Sequence, residues 1–223
     1  MKKPKILLTG AILAVLAIFG VGIYSILSNG ETVSNQSSTS TNPSIAESSV
    51  SADKNSETYK MYSGLTGESY DRTFIANMIE HHKGAVTMAE VAQTNASRQE
   101  IKDMADEIIT AQSSEISNME KWQKAWGYPA SSGEGMMDHS AMGMMVEMDV
   151  MNEELKGLQG DAFDKMFIEQ MILHHQSALD MAEPGKTNAQ HQEVKELTQA
   201  IVSAQTKEIQ QMKQWQNAWG FSS

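Results

Sequence analysis

The chain has no cysteine, which removes disulfides as staples and thiolates as ligands or nucleophiles. It has no basic stripe either. With a formal net charge of -11, nothing neutralises a phosphate backbone, and nucleic acid is excluded as a partner. There is no Gly-rich phosphate loop and no Gly-x-Ser-x-Gly, so hydrolytic or covalent catalysis has no visible machinery. Glu-x-x-His, the motif of carboxylate-bridged di-iron bundles, is also missing. No segment shows the period-two alternation of a strand. Any soft-metal chemistry must therefore fall to the six histidines and to the methionines, of which there are 17.

Three lysines (Lys2, Lys3, Lys5) precede an uncharged run from Ile6 to Leu27. Its 22 residues span ~33 Å as a helix, enough for a hydrocarbon core. The positive flank points inward and places the rest of the chain outside the cytoplasm. An uncleaved membrane anchor over 1–27 is the first expectation. A cleaved signal, secreted or periplasmic, is the second, with Ser28-Asn29-Gly30 as a weak cleavage site. Residues 28–57 are rich in Ser, Thr and Asn and read as a flexible tether. The folded domain is expected over 58–223.

That domain repeats itself. At an offset of 93, Tyr70-Asp71-Arg72-Thr73-Phe74-Ile75 aligns with Phe163-Asp164-Lys165-Met166-Phe167-Ile168, and Trp122 and Trp126 align with Trp215 and Trp219. Residues 70–128 and 163–221 share 28 identities over 59 ungapped positions, which makes the duplication secure. The repeats are read as about 68–128 and 161–221, joined by a connector over 129–160. Within each copy the apolar spacing predicts two helices. Phe74, Met78, Ala85, Ala89 and Ala92 share one face; Ile101, Ala105, Ile108, Ile116, Met119 and Trp126 share another. Ser97 and Glu100 form a capping box for the second helix, Gly127 and Gly220 suit its C-terminal cap, and Pro184-Gly185 stops the first helix of the second copy. Two antiparallel hairpins give an all-α four-helix bundle. The tryptophans read as core plugs near the helix ends.

Chemistry concentrates in Met78-Ile79-Glu80-His81-His82 with Met88, and in Met171-Ile172-Leu173-His174-His175 with Met181. Spacings of three and four put Met78 beside both imidazoles, so each first helix offers two nitrogen and two thioether donors. On the second helices Glu115 and Glu208, with Gln112 and Gln205, fall where the pattern wants apolar side chains. A carboxylate facing a bundle interior needs a proton donor or a cation. Pairing of each Glu with a histidine across the hairpin meets that need and orients the ring. Two readings compete for the histidines: metal ligands, or core residues that satisfy buried glutamates. Thioether beside imidazole favours Cu(I) or Ag(I); zinc and iron rank below copper. The connector adds His139, Met142, Met144 and Met145 in a stretch of seven methionines over residues 136–151. Helical spacing there also fits ordinary core filling.

The pattern Phe74-Ile75-x-x-Met78-Ile79-x-His81-His82-x-x-Ala85-x-x-Met88-Ala89, followed by Gln112-x-x-Glu115-Ile116-x-x-Met119-x-x-Trp122, resembles the domain of unknown function 305 family, also called CopM-like. The second copy matches through Phe167-Ile168-x-x-Met171-Ile172-x-His174-His175. The resemblance spans about residues 68 to 220. It implies an exported, ferritin-like helical bundle linked to copper binding and copper resistance, with Met78, His81, His82, Met88 and their counterparts as ligand candidates. One departure is Pro184-Gly185 in place of Val91-Ala92. The expected function is extracytoplasmic copper sequestration or handover, with a ferritin-like metal oxidase or a metal-free interaction bundle as alternatives.

Overall fold

Long runs of helix-forming residues broken only at Gly, Pro and polar corners produce helices at every named element. The computed structural model describes residues 50–129 and 150–221. Six helices are delimited there: α1 (Glu57–Ser63), α2 (Glu68–Asn95), α3 (Gln99–Trp126), α4 (Gly160–Ala182), α5 (Gly185–Asn188) and α6 (Gln192–Trp219). Residues 150–156 are helical as well. The apolar segment 6–27, the linker up to residue 49, and His139, Met142, Met144 and Met145 lie outside the described residues. Among those described, no helix is long and apolar enough to cross a membrane.

Helix α2 pairs with α3 and α4 with α6, and the two hairpins meet mainly through α2 and α4. These two run antiparallel. Tyr70, near the start of α2, donates from Oη to the carbonyl of Met181 near the end of α4, at 2.7 Å. The all-α bundle expected from periodicity is therefore present. Its repeat begins earlier than residues 68 and 161, however. Helix α1 and residues 150–156 stand at the same offset of 93, and each buries one large side chain, Tyr62 or Leu155. Gly64, Leu65 and Gly67 recur as Gly157, Leu158 and Gly160. Upstream of α1, the amide of Asp53 donates to the buried Asp180 carboxylate at 2.7 Å.

The capping box does not form. Arg98 occupies the N-cap of α3, with no side-chain cap of its own, and Ser97 Oγ turns instead to Asp164 and Asp161. The fully buried Asp164 of α4 accepts from the amides of Ser97 and Arg98 at 2.9 and 3.2 Å and from Arg98 Nη1 at 2.7 Å. A tertiary carboxylate has displaced the local cap, because it answers the helix-start amides and a guanidinium together. The other copy mirrors this. Asp71 of α2 accepts from the amides of Gln190 and His191, each at 2.9 Å, and from His191 Nδ1 at 2.6 Å. Each first helix thus caps the second helix of the other repeat.

The far ends follow expectation: Gly127 and Gly220 take left-handed φ values of 72° and 71° as C-caps. The tryptophans are only partly buried. They stack in pairs, and they hold the opposing N-caps: His191 lies 3.7 Å from Trp126, nearly parallel, and the Arg98 guanidinium sits 4.7 Å over Trp219. All four also pack against the core clusters, so they clamp the corners as well as plugging the ends of the core.

Helix α4 ends at Ala182, before Pro184, and Gly185 lets the chain pass Tyr70. A Cβ at that position would overlap Tyr70 Oη and come within 2.6 Å of Thr198 Cγ2. Gly185→Ala is expected to cost about 1–3 kcal/mol through overpacking, readable as a lower urea midpoint. An unchanged midpoint would show that Tyr70 can leave its bond to Met181 freely.

Candidate metal centre

The core divides into two apolar lobes, each drawn from both hairpins. His81, His82, His174 and His175 lie at the sequence positions between them, and all four are buried. Neighbouring ring centroids are 6.3 Å apart for His81–His82, 3.6 Å for His81–His174 and 6.1 Å for His174–His175. The rings therefore form a row crossing from one repeat to the other.

Each outer histidine meets a glutamate of its own hairpin. His82 Nε2 lies 2.6 Å from Glu115 Oε2, and His175 Nε2 lies 2.6 Å from Glu208 Oε2. The inner pair meets backbone. His174 Nε2 stands 2.9 Å from the carbonyl oxygen of His81, and His81 is bonded in turn to the His174 backbone. A carbonyl oxygen only accepts, so His174 carries its proton on Nε2; an ionised glutamate imposes the same tautomer on His82 and His175. In a neutral ring bonded this way Nδ1 carries a bare lone pair. All four Nδ1 atoms are buried and without a partner. Burial, with its neighbours' positive charge, holds His81 well below the usual imidazole range. The same causes push His174 down to about 3, against the opposing effect of its bond to the His81 carbonyl. The inner pair is neutral at physiological pH, and its nitrogens are available to a cation.

The soft donors surround this row. Met78, Met88, Met171 and Met181 are all fully buried, but not in the grouping the motifs suggested. Met78 packs in one lobe with Met181 and Met119; Met88 packs in the other with Met171 and Met212. One helical turn separates Met78 from the histidines, whereas Met88 lies further along and on the other side of the layer. The donors thus do not form one set per hairpin. Sequence spacing could not show this, because the partner of each methionine is set by the antiparallel crossing of α2 and α4. Gln112 and Gln205 are buried, and each carries a side-chain oxygen without a partner. Among the described residues no group of three or more His, Asp or Glu side chains is placed to hold a metal ion.

The domain of unknown function DUF305 matches residues 31–216. The chain belongs to the DUF305 family. Among solved structures, this DUF305 chain is similar to CopM in its Cu(I)-bound form, at 39% identity and a TM-score of 0.54, covering 67% of this chain and 96% of that one. It is similar to CopM in its Cu(II)-bound form, at 37% identity and TM-score 0.54, covering 70% and 99%. It also resembles a putative secreted DUF305 protein from Streptomyces coelicolor, at 25% identity and TM-score 0.61, covering 68% and 94%. No curated protein matches the chain. The sequence had missed the reciprocal Asp71 and Asp164 caps of this DUF305 bundle, and it had placed Met119 only in the core. The offset of 93 pairs Asp71 with Asp164, and that was the available signal for the caps.

Proposed function

We propose that this protein binds copper, Cu(I) foremost, at the histidine layer and its flanking methionines, and that it sequesters the ion or hands it on outside the cytoplasm. The observation that carries the reading is the set of four buried imidazole Nδ1 atoms with no donor. A buried acceptor left unpaired costs about 1–3 kcal/mol, and a cation would satisfy it. The adjoining thioethers make a soft ion the better match. Similarity to CopM, whose solved forms carry Cu(I) and Cu(II), supports copper. His81, His82, His174 and His175 are the nitrogen ligands, and Met78, Met88, Met171 and Met181 the sulfur ligands. Glu115 and Glu208 orient the outer rings. The segment 136–151, with His139, Met142, Met144 and Met145, is an auxiliary capture site, and residues 6–27 tether the domain to the cell membrane.

The oxidase alternative has less support. Each hairpin brings one glutamate to the layer, and each is already bonded to a histidine.

Anaerobic Cu(I) titration of the full-length protein against a colorimetric chelator tests the reading. Changing His81, His82, His174 and His175 to Ala together is expected to abolish tight binding to the bundle. A folded wild type at free Cu(I) ~1,000-fold above Kd should gain ~4 kcal/mol of stability. Unaltered binding in the quadruple variant would move the site to 136–151. No binding in either protein would leave the histidines as structural groups.

A further inference from the structure

We propose that each lobe beside the histidine layer is a soft-metal site composed across the two repeats, with Met119 as a ligand in one and Met212 in the other. The inference rests on the metal-binding reading above and adds ligands from the helices that carry no His-His motif.

Register supplies the argument. The His82–Glu115 bond pins α2 against the antiparallel α3. Four residues back from His82 is Met78, and four residues on from Glu115 is Met119, so the two stand level. The His175–Glu208 bond places Met171 level with Met212 in the same way. The His81–His174 stack pins α2 against α4 and, three residues out along each helix, sets Ser177 level with Met78 and Gly84 level with Met171, each next in sequence to a small buried alanine, Ala178 and Ala85. These placements agree with the packing. Met78, Met119 and Ala178 belong to one buried lobe; Met171, Met212 and Ala85 belong to the other.

The second lobe gathers buried thioethers from four helices, Met88, Met104, Met171 and Met212, and the first from three. In the first they are Met78 of α2, Met119 of α3 and Met181 of α4, all fully buried. Methionine often merely fills a core, but a plain filler has no reason to sit beside unsatisfied acceptors. Gln205 stands three residues before Glu208 and therefore level with Ala178. Its Oε1 is buried and unpartnered, as is that of Gln112 in the other lobe. Sulfur from both repeats, a bare imidazole nitrogen at the layer and an orphan amide oxygen form a donor set with no proton to answer it. A soft monovalent cation completes it.

The test uses the full-length protein with 13C-methyl methionine, titrated with Ag(I), which is soft and does not change oxidation state. The methyl resonances of Met119 and Met212 are expected to shift to saturation together with those of Met78 and Met171, one ion per lobe. Met119→Leu should weaken one lobe roughly tenfold or more and leave the other; Met212→Leu should do the converse. Leucine conserves volume, and the resonance shifts need no substitution, so a poorly folded variant does not obscure the result. Ag(I) binding with both methyl resonances unmoved and wild-type affinity in the double variant would overturn the inference alone. Failure of the wild type to bind Ag(I) or Cu(I) would overturn the metal-binding reading and this inference together.

Discussion

Asp164→Ala is expected to destabilise the fold by about 3–5 kcal/mol, the range for removing one partner of a buried, hydrogen-bonded charge pair. The carboxylate is fully buried and serves two backbone amides, the Ser97 hydroxyl and the Arg98 guanidinium at once. Its loss leaves the amides of Ser97 and Arg98, at the entrance to α3, without their acceptor, and a local cap by Ser97 and Glu100 would first have to rearrange the corner. Among carboxylates Arg98 would retain Asp161, at 2.9 Å. Asp161 itself is the control: its side chain is 74% exposed, and Asp161→Ala should change stability by about 0–1 kcal/mol. Urea unfolding of the two variants separates them. Equal midpoints would mean that the buried carboxylate is dispensable and that the corner is held by the Trp219–Arg98 contact.

The metal-free protein should lose stability steeply between pH 6.5 and about 3. The sign follows from the inner histidines. His81 and His174 are depressed in the folded state, whereas in the unfolded chain an imidazole titrates near ~6.5. Below that pH the unfolded chain binds protons that the folded state refuses, so acid favours unfolding; above it both states are neutral and nothing is lost. Each of the two imidazoles contributes a slope of up to ~1.4 kcal/mol per pH unit within the window. Urea midpoints at pH 7.5, 6.5, 5.5 and 4.5 measure it. Replacing both residues by Gln should flatten the slope over this range. A steep slope that survived the double substitution would assign the acid sensitivity to the carboxylates.

Much of this was legible in the chain, and what was missed has a common cause. Helix class and the hairpin pairing follow from apolar spacing and from a 93-residue offset, both properties of the sequence itself. The His–Glu bonds followed too, since Glu115 and Glu208 interrupt apolar faces at the level of the histidines. Ser97 misled because a capping box is a local rule. Asp164, distant in sequence, outcompetes Glu100 by bringing a full charge to both amides and to Arg98. Met78 and Met88 misled in the same way. Ten residues apart on one helix, they appear as one ligand set until the crossing of α4 shows that they belong to opposite lobes. Helix α1 escaped notice because Tyr62 and Leu155 share no motif, although Gly64, Leu65 and Gly67 recur in register beside them. Periodicity reports which face of a helix is buried, and long-range partners are decided by how the helices cross.

The crossed caps carry a consequence for ancestry. Asp71 reaches into the second repeat and Asp164 into the first, so neither hairpin completes its own corner. Such mutual donation is the signature of an isologous dimer, here covalently joined. A progenitor of one hairpin would have needed a second copy to finish its helix starts, and fusion made that copy permanent. Once both halves were encoded separately, equivalent positions were free to diverge. Arg98 now stands where the second copy has His191, Glu80 where it has Leu173, and Val91 where it has Pro184. A symmetric dimer cannot make such choices, because every substitution is made twice.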